Sequence, residues 1–261
     1  NMIDTAPDFI YMAENPLPFD IPNGLRAIYT AKHWKDNNLF GKGHPLYSFI
    51  EWKAAGDDAP LFSFVQMQPE DLTPENLTLL KNASSIIPVF ATDNNHAMPA
   101  LRRMFFDFLS AEINHPVIIR RHYEEEPEPF RIHASTDLGG LLIDGFGDGA
   151  WITASSQTPA ESNRITFGIL QAARVRISKT EYIACPSCGR TLFDLVETTD
   201  KIRKRTEHLK GVKIAIMGCI VNGPGEMADA DYGYVGSGPG RITLYRGKDV
   251  VKRNVVTENA V

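Results

Sequence analysis

Through the first two thirds of the chain, short and nearly unbroken apolar runs alternate with stretches of helical periodicity. This alternation limits the available folds more than any other feature. Runs at 8–12, 47–52, 61–67, 85–91 and 116–120 read as strands, and 140–149 reads as an apolar strand ending in a Gly-rich loop. Between them, Thr73 caps a helix with Pro74 in its first position and Leu77, Leu80 and Ala83 at helical spacing. Residues 99–113 and 159–177 read as further helices, the second with Ile165, Ile169, Ala172 and Ala173 on one face. Pro88 within its strand suggests an edge or a bend. Strands this continuously apolar are those of parallel α/β structure, buried on both faces. Five or six such units fall short of a complete eightfold barrel, which takes about 250 residues, so an incomplete barrel or an open sheet fits.

Composition narrows the class further. Of 261 residues, 43% are hydrophobic and 23% charged, which excludes a disordered tail, a collagen and a coiled coil. No apolar run approaches the roughly 18 residues of a membrane span, and the start resembles no signal peptide, so no membrane partner is expected. Residues 1–150 carry 11 basic and 21 acidic side chains, and residues 151–261 carry 16 and 11. The basic half suits an anionic substrate or an acidic protein, yet it lacks the Arg/aromatic interleaving of a nucleic-acid binder.

A boundary near Lys179 divides the chain into domains 1–178 and 179–261. Beyond it the sequence reads as a strand at 181–184, a Cys-Pro-Ser-Cys turn and a helix from Thr191 to about Leu209. A buried strand at 212–217, a Gly/Pro loop and short strands near Tyr232, Ile242 and Val250 follow. The three cysteines, Cys185, Cys188 and Cys219, fall within this small domain, at the C-terminal ends of its strands, where open α/β sheets place their sites. An odd, sparse count argues against a disulfide framework.

Cys185 and Cys188, two residues apart on a turn, can share one metal, and a helix start behind them would favour the thiolate. Three chemistries suit the pair: a zinc knuckle, a thioredoxin-like dithiol and half of an iron–sulfur site. Cys219 shifts the balance, since a redox dithiol needs no third thiol and a zinc ribbon would want a second Cys-x-x-Cys. Zinc held by the three cysteines and His208 remains an alternative. So does a thiol oxidoreductase using Cys185 and Cys188. Three thiolates with one weaker ligand also suit a four-iron cluster with one exchangeable iron. In Asn222-Gly-Pro-Gly-Glu226, the glycines permit close backbone approach and Glu226 is a candidate fourth ligand or proton donor, although a plain turn with a solvated Glu226 explains the segment as well. The loop 145–149 is a candidate anion loop that a tight strand-to-helix connection also explains. Residues 236–240 read as a hairpin turn, the acidic run 124–128 as a solvated loop and 104–109 as core.

Two long segments, Ile183-Ala-Cys-Pro-Ser-Cys-Gly-Arg-Thr-Leu-Phe-Asp194 and Ile216-Met-Gly-Cys-Ile-Val-Asn-Gly-Pro-Gly-Glu-Met-Ala-Asp-Ala-Asp231, closely resemble the C-terminal region of the 4-hydroxy-3-methylbut-2-enyl diphosphate synthase (GcpE) family. Leu141-Leu-Ile-Asp-Gly-Phe-Gly-Asp-Gly resembles the segment just before that region, and residues 1–136 resemble the extra middle domain of the long, plant-like form. The resemblance implies an incomplete TIM-barrel-like insert domain, then a small α/β iron–sulfur domain similar to sulfite-reductase domains. It implies a [4Fe–4S] cluster on Cys185, Cys188, Cys219 and Glu226, with Glu226 the labile ligand. The implied reaction is reductive ring opening of 2-C-methyl-D-erythritol 2,4-cyclodiphosphate in isoprenoid biosynthesis, with ferredoxin or flavodoxin as electron donor. The family's N-terminal barrel, which grips the diphosphate, is resembled by no region here, and short forms carry Arg-Val-Ser where this chain has Trp151-Ile-Thr153. The expectation is therefore a fragment that holds a cluster but turns over no substrate alone. Its expected compartment is the cytoplasm in a bacterium and the plastid stroma in a plant.

Overall fold

The computed structural model describes residues 5–17, 19–83, 85–185 and 188–257. The chain divides into two compact units, Asn1–Arg176 and Ile177–Val261.

In the first unit seven parallel strands lie side by side in chain order: β1 (Phe9–Ala13), β2 (Arg26–Thr30), β3 (His44–Ser48), β4 (Ser63–Met67), β5 (Ile86–Phe90), β6 (Ile118–Tyr123) and β7 (Gly149–Ala154). Helices α1 (Ala31–Asp36), α2 (Phe49–Ala55), α3 (Pro74–Asn82), α4 (Ala97–Ser110), α5 (Pro127–Ala134), α6 (Gly140–Ile143) and α7 (Pro159–Ala172) punctuate them. The sheet is curled into a half-barrel. Alternate residues of every strand, namely Phe9, Ile28, Leu46, Phe64, Val89, Ile118 and Trp151, meet in one inner cluster. Tyr11 on β1 packs on Trp151 of β7 with ring centroids 4.9 Å apart, so the two outermost strands approach through side chains while their backbones remain unpaired. The opposite face of the sheet packs under the helices, through residues such as Met67, Phe90, Leu101, Met104, Phe108 and Leu141.

Local signals explain most element starts. Thr73 caps α3 by accepting the Asn76 N–H, with Pro74 in the first helical position. Thr158 and Glu161 form a reciprocal capping box at α7. Three expectations need correction. The run 47–52 is not one strand. Ser48 and Glu51 form a capping box there, and the chain turns into α2 at Phe49. The segment 140–149 is not a strand either: it is α6 followed by a turn, and its glycine loop leads from a helix into β7. At Gly147 (φ +88°) a Cβ would stand 2.6 Å from Ile119 Cδ1, and Asp148 accepts the Val117 N–H at 2.8 Å, so the loop is a packed connection. Pro88 lies in neither an edge strand nor a bend. It sits in β5 between β4 and β6, where pairing to β6 begins only at Val89 and its missing N–H interrupts no bond of that ladder. Of the apolar run 104–109, Met104, Phe105 and Phe108 are buried, whereas Phe106 and Leu109 are exposed.

The second unit holds a five-stranded sheet in the order β12-β11-β10-β9-β8, with β8 (Glu181–Ala184), β9 (Lys213–Met217), β10 (Tyr232–Gly238), β11 (Arg241–Arg246) and β12 (Asp249–Val256). Strands β8, β9 and β10 are parallel, and β10, β11 and β12 antiparallel. The turn at 238–241 is the hairpin read from the sequence. Helix α8 (Leu195–Thr206) starts at Asp194, which accepts the Glu197 N–H at 2.8 Å. It therefore begins four residues later than the expected Thr191. Strand β9 alternates its faces: Ile214 and Ile216 join Leu195 and Ile202 of α8, while Ala215 and Met217 join Met227 and Ala230 across the sheet. Burial on both sides explains its unbroken apolar sequence.

Candidate metal centre

Parallel pairing of β8 with β9 carries the chain twice to the same edge of the sheet. Cys185 is the residue after β8, and Gly218-Cys219 follows β9. The Cys185 N–H donates to the Ile216 carbonyl at 3.2 Å, continuing the ladder, and the Gly218 N–H donates to the Cys185 sulfur at 3.2 Å. Beyond Cys188 the loop closes on the same point. The Thr191 N–H donates to the Cys188 carbonyl at 2.9 Å, and the Leu192 N–H to the Gly218 carbonyl at 3.0 Å. Two glycines make room for this crossing. A Cβ on Gly218 would stand 2.7 Å from the Thr191 side chain, and one on Gly236 only 2.3 Å from the Gly218 carbonyl oxygen.

The four candidate ligands Cys185, Cys188, Cys219 and Glu226 differ in exposure. Cys185 and Cys219 are half-buried, Cys188 is exposed, and all three thiols are free. Glu226 is exposed on the short helix α9 (Gly223–Glu226), whose Glu226 N–H donates to the Asn222 carbonyl at 3.0 Å. Arg190, which sequence reasoning passed over, connects them. Its guanidinium hydrogen-bonds the Cys188 sulfur and is held charged by Cys188, Cys219 and Glu226 together. The Arg190 backbone N–H, its side chain and its charge in turn hold the Cys188 thiol below the ordinary thiol range. The helix start expected to lower that pKa lies farther along, at Leu195; the lowering traces to Arg190. A cation two residues past the second cysteine was the available signal.

Among the described residues no three His, Cys, Asp or Glu side chains stand close enough to hold a single metal ion. The Arg190 charge is favoured chiefly by Cys188 and also by Cys219 and Glu226, and Cys185 is tied to the neighbour of Cys219. A set of three soft thiols and one carboxylate, spread over two strand ends, suits a cluster of several irons, which is wider than one ion and takes thiolate ligands. His208 does not join it. It is exposed in the turn after α8, where Thr180 Oγ1 donates to the Thr206 and Leu209 carbonyls beside the start of β8. The cysteines lie past the other end of that strand, so zinc held by Cys185, Cys188, Cys219 and His208 has no geometric basis.

Residues 181–261 match the GcpE protein C-terminal domain. The chain is also similar to proteins named 4-hydroxy-3-methylbut-2-en-1-yl diphosphate synthase (flavodoxin). It is 44% identical to that of Parabacteroides distasonis over 260 residues, 98% of this chain and 42% of the relative. It is 46% identical to that of Porphyromonas gingivalis over 199 residues, 76% of this chain and 34% of the relative. It is 43% identical to that of Protochlamydia amoebophila over 230 residues, 88% of this chain and 34% of the relative. The chain thus spans less than half the length of these curated relatives. The cysteine loops fall inside the matched domain and the first unit inside the aligned region, so the likeness is to the GcpE protein C-terminal domain over residues 181–261 and to these synthases over the rest.

Proposed function

We propose that this chain is the part of a 4-hydroxy-3-methylbut-2-enyl diphosphate synthase that holds its redox centre, with Cys185, Cys188, Cys219 and Glu226 binding a [4Fe–4S] cluster. The whole protein would open 2-C-methyl-D-erythritol 2,4-cyclodiphosphate by two-electron reduction with loss of water, giving 4-hydroxy-3-methylbut-2-enyl diphosphate in isoprenoid biosynthesis. Flavodoxin, named in the relatives, or ferredoxin would deliver the electrons. In this reading the first unit is the middle domain of a three-domain enzyme. The second is the cluster domain, similar to sulfite-reductase domains.

The observation that carries the reading is the meeting of the two cysteine loops, where the Gly218 N–H, next to Cys219, donates to the Cys185 sulfur and the Leu192 N–H, beyond Cys188, donates to the Gly218 carbonyl. Bound there, the cluster would supply one-electron transfer and a Lewis-acidic iron. The residues of the chain do the rest. Three thiolates give permanent anchorage. Glu226, exposed on a four-residue helix, would be the one hard oxygen ligand of the set and hence the labile one. Arg190 offsets the negative charge that thiolates and carboxylate would bring together and favours the Cys188 thiolate that a metal takes.

Anaerobic preparation followed by iron and sulfide analysis tests the assignment. Brown protein with about four irons and four sulfides per chain, EPR-active on reduction, is the expected result. Colourless protein with one tightly held zinc, or a reversible Cys185–Cys188 dithiol without metal, would refute it. Cys219→Ser should abolish assembly. Glu226→Gln should leave a cluster in place and remove turnover in the full-length enzyme; wild-type turnover there would remove Glu226 from the ligand set.

A further inference from the structure

The inner face of the half-barrel changes character along its strands. The lower layer is apolar, with Phe9, Ile28, Leu46, Phe64 and Ile118 in contact. Toward the C-terminal ends the inward positions become polar: Gln66 on β4, Arg120 and His122 on β6, Thr153 on β7 and Ser155 just beyond it. Register aligns Arg120 with Trp151 and His122 with Thr153, placing these groups on adjacent strands. The C-terminal face is where parallel β/α barrels carry their ligands.

Arg120 is the unusual member. Its guanidinium lies 4.4 Å from the Trp151 ring centroid and 5.8 Å from that of Tyr11, and it donates to Gln66 Oε1. Among the described residues no carboxylate pairs with it. Its neighbour Arg121, facing the other way, ion-pairs with Asp137 at 3.5 Å and donates to the Thr92 carbonyl, as a structural arginine does. Holding a half-buried cation without a counter-charge is costly, and burial accordingly lowers the Arg120 pKa. None of its nitrogens is both sealed off and without a partner, so donors beyond the one given to Gln66 remain accessible. Above it the two ring nitrogens of His122 bond the Thr153 hydroxyl at 2.9 Å and the Ser155 hydroxyl at 3.1 Å, a row of donors and acceptors.

We propose that this mouth is an oxyanion site, with Arg120 gripping a phosphoryl group and the His122–Thr153–Ser155 row hydrogen-bonding its remaining oxygens. A planar fork, held over the Trp151 and Tyr11 rings, presents paired donors to phosphate oxygens. The inference concerns the first unit alone and stands or falls independently of the cluster in the second.

The indole N–H signals of the three tryptophans report the test by NMR on the whole chain, because each sits in a different place. Trp151 lies under Arg120, Trp52 is in the core, and Trp34 lines a cavity of about 470 Å³ with Arg26, Lys42 and His44 at the other end of the strands. Inorganic phosphate, pyrophosphate and glycerol 3-phosphate are titrated separately, with acetate as the carboxylate control. The expected result is a saturable shift of the Trp151 signal with the phosphates in the millimolar range or below, weakened roughly tenfold or more in Arg120→Met. Binding by pyrophosphate or phosphate alone would assign a free inorganic anion, and binding by glycerol 3-phosphate as well would assign phosphate esters. Arg120→Lys, which keeps the charge and loses the fork, should fall between, and near-UV circular dichroism checks that each variant is folded. Absence of a saturable Trp151 shift, undiminished binding in folded Arg120→Met, acetate binding as tight as phosphate, or shifts confined to Trp34 would each overturn the proposal.

Discussion

At the scale of single residues, the candidate centre depends on what is missing as much as on what is present. Gly218 and Gly236 let two backbones pass where a methyl group has no room. Gly236→Ala would drive a Cβ into the Gly218 carbonyl and should cost about 1–3 kcal/mol, read as a lower unfolding temperature of the second unit. The same change should reduce iron uptake, since Gly218 also donates to the Cys185 sulfur. In the first unit, His44 lies against the Phe9, Phe62 and Phe64 rings, and burial together with the Arg26 charge lowers its pKa. Its folded pKa therefore lies below the unfolded value near 6.5, so the unfolded chain takes up the proton first. Stability tied to His44 is complete above that unfolded value and falls as pH drops from it toward the folded value. Melting curves taken between about pH 7.5 and 5 should show this decline, and His44→Phe should flatten it. An unchanged slope in the variant would assign the decline to other groups.

At the scale of elements, helix starts were the most legible part of the sequence, because a cap is a local bargain between adjacent residues. Thr73-Pro74 marked α3 correctly, and Thr73→Ala, which frees the Asn76 N–H, should destabilise the first unit by about 1 kcal/mol in chemical denaturation. Where apolar pattern and capping compete, the cap prevails. Residues 47–52 carry a strand-like apolar run, yet Ser48 and Glu51 close a capping box and α2 begins between them. The segment 140–149 misled for another reason: Leu141 and Leu142 bury one side of a short helical turn while Ile143 is exposed, and so short an apolar run does not tell a helix from a strand. Strand β2 and helix α5 went unread, one short and flanked by glycine and proline, the other opening on the acidic run at Pro127.

At the scale of the whole molecule, the chain carries a half-barrel and a five-stranded sheet and spans less than half the length of the relatives it matches. Incubated anaerobically with the cyclic diphosphate and reduced flavodoxin, this chain alone should hold its cluster and form no product; measurable 4-hydroxy-3-methylbut-2-enyl diphosphate would refute that division of labour. Glu226 joined the candidate ligands only through the family resemblance, whereas the candidate thiols Cys185, Cys188 and Cys219 could be picked out from the sequence because thiol chemistry and spacing are properties of the residues themselves. So could the alternation that makes both units α/β, because backbone periodicity is local. Which side chains would meet was decided only in three dimensions. Arg190 gained its role from parallel pairing that brings residues some thirty positions apart to one sheet edge, and His208 lost its role because α8 carries it to the opposite end. Arg120 became a candidate site when curling set it between Tyr11 and Trp151, on strands that never pair. Long-range neighbours follow from register and curvature, and these are set by the summed packing of the sheet, which no short stretch of sequence contains.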